Sequence, residues 1–211
     1  MAYQLQIAFV SLIFTFLAIA FPFQGNQKLP GYYLKQDQTV DLPNDTKLIT
    51  AKQSCENWGL AAGIETILRQ QNVLLNQNFW VMRLAGGELC LSDLPSMEAV
   101  SHVVNNEFVL DDGRHVRLEA RFDAGPPVNI DAVIAGLREQ RVSVLIWRGH
   151  PYYLTGITYN EHIANNGLRF FEVKELRLAN TFSNLPGATF EKGRDNPDEI
   201  QGILRIGVTQ Q

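Results

Sequence analysis

The apolar residues of this chain change their spacing near residue 107, and that change limits the fold more than any other feature. Before it they recur at three- and four-residue intervals, the repeat of a helix buried along one side. Trp58 to Gln71 is predicted as a helix, with Leu60, Ile64, Ile67 and Leu68 inward and Glu65, Arg69 and Gln70 between them. Gly59, Ala61, Ala62 and Gly63 make its first part small-sided, which suits close backbone packing. Asn78–Ala85 and Ser96–Asn105 read as two more helices, the latter starting from a Ser-x-Glu after Pro95. After residue 107 the texture is that of strands. Phe108–Leu110 and Val116–Phe122 flank Asp111-Asp112-Gly113 as a hairpin with an Asp-Gly turn. Asn129–Gln140 returns to helix after the Gly125-Pro126-Pro127 break. Val142–Trp147 is an apolar run fit for a central strand, and Pro151–Tyr159, Leu168–Leu178 and Ile203–Val208 follow it as strands. Helices first and an antiparallel sheet afterwards predict an α+β fold in a single domain, residues 51–211.

The start of the chain reads as an address. Residues 7–20 are apolar and end in Ala18-Ile19-Ala20, which is the length of a signal-peptide core with a small-residue cleavage site and is short for a membrane span. No Lys or Arg precedes the run, and Phe21-Pro22-Phe23 lengthen it, so an uncleaved anchor through residues 5–23 is the alternative. Residues 1–23 are assigned to the signal or anchor. Residues 24–50, polar and punctuated by Gly and Pro, are read as a leading arm with a short strand near Lys47–Thr50. Export, periplasmic or secreted, is expected, and with it an oxidising compartment in which a Cys–Cys bridge is credible.

Composition removes several function classes. With 45% hydrophobic and 19% charged residues the chain can build a core, and wholesale disorder is excluded. A net charge of −4 without a Lys/Arg block argues against nucleic acid as a partner. Two cysteines exclude a four-cysteine metal site and permit one bridge or one nucleophile. No cofactor or metal is expected. Gly86-Gly87 lacks the surroundings of a phosphate loop, Asp111-Asp112-Gly113 has too few ligands for calcium, and Trp58, Trp80 and Trp147 are read as core or groove walls.

Four features could carry chemistry: Gln53 and Cys55 just before the first long helix, His150 opening a strand after Gly149, and Asn180 after the next strand. A thiol at a helix N-terminus is stabilised as thiolate by free N–H groups and the dipole. An imidazole could form the ion pair and an amide could orient the ring. Gln53-Ser-Cys-Glu-Asn-Trp-Gly59-Leu-Ala-Ala-Gly63 resembles the first active-site segment of papain-like cysteine peptidases, in the flavour of the compact bacterial, bacteriocin-processing peptidases. Gly149-His150-Pro-Tyr-Tyr-Leu-Thr-Gly156-Ile resembles their second segment, and Asn180 falls where they place Asn or Asp. The resemblance covers about residues 50–208. It implies a helical lobe packed on an antiparallel sheet, a monomer, and a cleft that takes an extended peptide or protein.

The departures matter as much. In that family the nucleophile stands six residues after the Gln, and here that position is Gly59. Pro151 also replaces the small or apolar residue with an N–H that normally follows the histidine. The resemblance further implies that Cys55 stands where these enzymes carry a structural cysteine, with Cys90 placed to bridge to it. The leading expectation is a catalytically impaired, exported homologue that binds peptide or protein in its cleft. The alternative is an active peptidase or thiol acyl-transferase with Cys55 as nucleophile, His150 as base, Asn180 as orienter and Gln53 as oxyanion donor. That alternative needs a helix starting a turn earlier and containing both Gly59 and Gly63, at about 1 kcal/mol each against Ala. A third reading is a structural envelope protein whose cleft is filled.

Overall fold

A computed structural model describes residues 32–211 apart from 44, 50, 88–89, 91–94, 128–129 and 183–184. The signal or anchor segment and the first part of the arm lie outside the described residues. The protein is α+β. Among the described residues the eight strands are β1 (Tyr32–Asp41), β2 (Glu107–Val109), β3 (His115–Ala124), β4 (Ser143–Trp147), β5 (His150–Ala164), β6 (Arg169–Asn180), β7 (Ala188–Glu191) and β8 (Ile200–Gln210). They form one antiparallel sheet in the order β2-β3-β8-β4-β5-β6-β7, with β1 pairing to β5. The helices are α1 (Asp45–Leu48), α2 (Gly59–Arg69), α3 (Gln77–Ala85), α4 (Met97–Val104) and α5 (Asp131–Arg138).

α2 explains much of the architecture. Every residue from Gly59 to Leu68 is buried, so it is a central helix rather than a surface one, and it packs across β4, β5 and β8 with α3 beside it. Close approach to the sheet depends on its small side: a Cβ on Gly63 would run into Val144 of β4. α3 and α4 start on side-chain caps, Asn76 accepting from the Phe79 N–H and Ser96 from the Ala99 N–H. Trp58, Trp80 and Trp147 are all in the core. α5 serves the other face of the sheet, where its Val133 and Ile203 of β8 line one cavity.

Two stretches differ from expectation. Of the short strand expected near Lys47–Thr50, Lys47 and Leu48 instead belong to a single helical turn, Asp45–Leu48, and Thr50 lies outside the described residues. The leading arm also carries a ten-residue strand, β1, on the edge of β5. Its burial alternates only over residues 37–41, where Gln38 and Val40 are half-buried, and a bulge between Lys35 and Gln38, with Asp37 at φ +48°, interrupts its register.

Candidate functional site

The head of α2 is where the family resemblance puts chemistry, and polar groups on α2 itself fix what surrounds it. Thr66 Oγ1 accepts from the Ala51 N–H at 3.0 Å, and the Tyr153 hydroxyl donates to the Ala51 carbonyl at 2.6 Å. Burial pushes the Tyr153 phenol well above its usual range, so it stays a donor. One residue earlier, the buried Glu65 accepts from the Gln77 N–H at 2.9 Å and pairs with Arg69 at 2.6 Å. Gln77 in turn accepts from the Ser54 N–H and donates to the Lys52 carbonyl, both at 3.0 Å. Residues 51–54 are thereby clamped on both sides of Gln53.

Gln53 leans over Gly59. Its N–H donates to the Thr181 carbonyl at 3.0 Å, and its Oε1 accepts from the Thr181 hydroxyl. Its Nε2 donates to the carbonyls of Cys55 (3.2 Å) and Glu56 (2.6 Å). Those two bonds use both amide hydrogens, so Gln53 has no free donor for an oxyanion in this arrangement. A Cβ built on Gly59 would lie 2.6 Å from Pro151 Cγ, 2.7 Å from Gln53 Oε1 and 2.7 Å from Thr181 Oγ1. Three side chains occupy the space a nucleophile would need.

His150 is not among them. Side chains alternate between faces along a strand. On β5, Pro151 and Tyr153 face α2, as the contacts with Gly59 and Thr66 show. His150 pairs with Trp147 and shares the other face with it and Tyr152. Asn180 is the register partner of Tyr152, so it too points away from α2, while Thr181 points toward it. The Asn180 Oδ1 accepts from the Phe182 N–H at 2.9 Å, a local turn bond. His150 is exposed, and its imidazole has no hydrogen-bond or ion-pair partner among the described residues. The hairpin that carries it is held firmly: Arg148 and Gly149 take φ of +53° and +76°, Arg148 pairs with Glu199 at 2.7 Å, and the Gly149 N–H donates to Gln201 at 3.0 Å. Of the residues singled out in the sequence, the structure brings together Gln53 and Gly59, and does not bring His150 and Asn180 to them.

Cys55 and Cys90 are joined as a disulfide, with Cα atoms 5.9 Å apart. Both cysteines of the chain are used, and Cys55 carries no free thiol. Its role as nucleophile is therefore not available in this structure. Thr181 and the inward face of Pro151 were not foreseen. A period-2 count back from Tyr153 would have placed Pro151 on the α2 side, but nothing in the sequence said which parity faced the helix. No cluster of three or more His, Cys, Asp or Glu side chains placed to hold a metal occurs among the described residues. Compared with known proteins, the chain matches no family model, no curated protein and no solved structure.

Proposed function

We propose that this chain is an exported relative of the papain-like cysteine peptidases that has no catalytic thiol and acts by binding peptide or protein. The observation that carries the reading is the head of α2: Gly59 stands six residues after Gln53, beneath Pro151, Gln53 and Thr181. The bridge between Cys55 and Cys90 supports it twice, by occupying the alternative nucleophile and by being compatible with an oxidising compartment. The helix-on-antiparallel-sheet arrangement is compatible with a papain-like domain. The proposed contact surface is the exposed rim of Lys52, Ser54 and Glu56 together with the His150 turn.

Incubating the protein with a degenerate pool of unstructured peptides, then reading captured and cleaved species by mass spectrometry, tests this directly. Capture of a subset without new termini is the expected result. Cleavage that disappears in Cys55→Ser would overturn the non-catalytic half, and the absence of any capture would overturn the binding half.

A further inference from the structure

A second, independent place on the molecule is built to take a ligand. β4 pairs with β8 only as far as Val144 and Leu204, so β8 continues from Arg205 with β3 on one side and an open edge on the other. Gln71 of α2 covers part of that edge, donating from Nε2 to the Ile206 carbonyl at 2.9 Å. Between this edge and α5 lies a cavity of about 320 Å³. Its apolar lining comes from Ile67, Val142 and Ile206, and α5 contributes only Ala132, Ala135 and Gly136 to its wall, which leaves the volume open.

The charges in it are unusual. Arg121 of β3 and Arg205 of β8 are direct cross-strand partners, and both line the cavity with Arg141. Like charges directly opposite on a sheet are destabilising. Arg205 pairs with Asp123, Arg141 with Glu139, and the fourth charged lining residue, Glu119, sits 3.8 Å from Arg117. Arg121 has no ion-pair partner among the described residues. The Arg205 Nε is buried and lacks a hydrogen-bond acceptor, a costly state for a guanidinium N–H. One uncompensated positive charge and an unanswered N–H beside an apolar floor define the missing partner as a monoanion with an apolar body.

We infer that this cavity binds a small organic carboxylate, its oxygens held by Arg121 and Arg205 and its hydrocarbon part seated on Ile67, Val142 and Ile206. A guanidinium fork matches a carboxylate in shape, and a single surplus charge favours it over a doubly charged phosphate.

Calorimetric titration of the full chain with sodium hexanoate tests the inference. Saturable binding at one site is expected, weakened about tenfold in Arg121→Gln, where one charge-assisted bond is lost. It should be abolished in Gly136→Leu, a change the helix accepts because a Cβ there meets nothing closer than the Arg141 carbonyl at 3.8 Å. Hexanol and inorganic phosphate, as separate probes, should each bind at least about tenfold more weakly. No saturable binding of hexanoate, or undiminished binding by Arg121→Gln, overturns the inference. Phosphate binding as tightly as hexanoate overturns the carboxylate assignment.

Discussion

Gly59 is a buried residue whose missing side chain is part of the packing. The three atoms that a Cβ would meet belong to side chains pinned elsewhere: Gln53 by three carbonyl and hydroxyl partners, Thr181 by Gln53 and the Pro151 carbonyl, and Pro151 by its ring. None can swing aside without losing a hydrogen bond or moving the β5 backbone. Gly59→Ala is therefore expected to destabilise the protein by about 1–3 kcal/mol, the cost of overpacking a closed site, even though Ala is the better helix former. Denaturant melts of the two proteins check this, and an unchanged or raised midpoint would mean the head of α2 is looser than the structure has it. A cysteine introduced at this position would also lack an imidazole beside it, because His150 is on the other face of β5.

Among the strands, the polar face at the far end of β5 and β6 holds the strongest perturbed carboxylate. Glu172 of β6 accepts from Lys192 at 2.5 Å and from Asn160 of β5 at 3.0 Å, with His162 at 3.6 Å. Lys192 above all, then Asn160, holds its carboxyl down to about 2 against an ordinary value of 4.5. A depressed native pKa contributes stability that is complete above 4.5 and is lost as the pH falls through about 2, because the unfolded chain takes up the proton first. The group is a third exposed, so salt should shrink the effect. Stability measured from pH 5 to 2 should fall less steeply in Lys192→Met than in the unaltered protein, and equal slopes would show that the pairing is inert.

How far these elements could be read beforehand follows from periodicity. α2, α3 and α4 announce themselves through three- and four-residue spacing and, for α4, a Ser cap. β4 stands out as a buried apolar run. β1 was hidden because, as an edge strand, it buries neither face fully: Tyr33, Leu34, Gln36 and Asp37 are all exposed, leaving no alternation to detect in its first half. The short edge strand β7 escaped notice too. The site was half legible. The six-residue count that pairs Gln53 with Gly59 is local along the chain, and the structure does bring those two residues together. Which of His150 and Pro151 faces the helix depends on a one-residue parity set by the pairing of β5 with β4, and local sequence does not encode it.

In the molecule as a whole, a central helix and an antiparallel sheet meet at Gly59, beneath Pro151, Gln53 and Thr181, and neither cysteine is free there. Both cysteines instead close a loop of 35 residues that runs across α2 and α3, which in the chain-entropy treatment contributes about 3–4 kcal/mol. The bridge ties the segment carrying Cys55, next to Gln53, to the chain beyond α3, so one covalent link both fixes the head of the central helix and leaves neither cysteine free. Whether the protein carries that link in solution decides between the proposed binding role and the thiol-enzyme alternative more directly than any assay against guessed substrates. Peptide mapping without reductant, paired with iodoacetamide labelling at neutral and mildly acidic pH, is the measurement. A linked Cys55–Cys90 peptide with no alkylation at either pH is the result expected for a non-catalytic chain. A free Cys55 that alkylates rapidly even at mildly acidic pH would reveal a stabilised thiolate, and would contradict it.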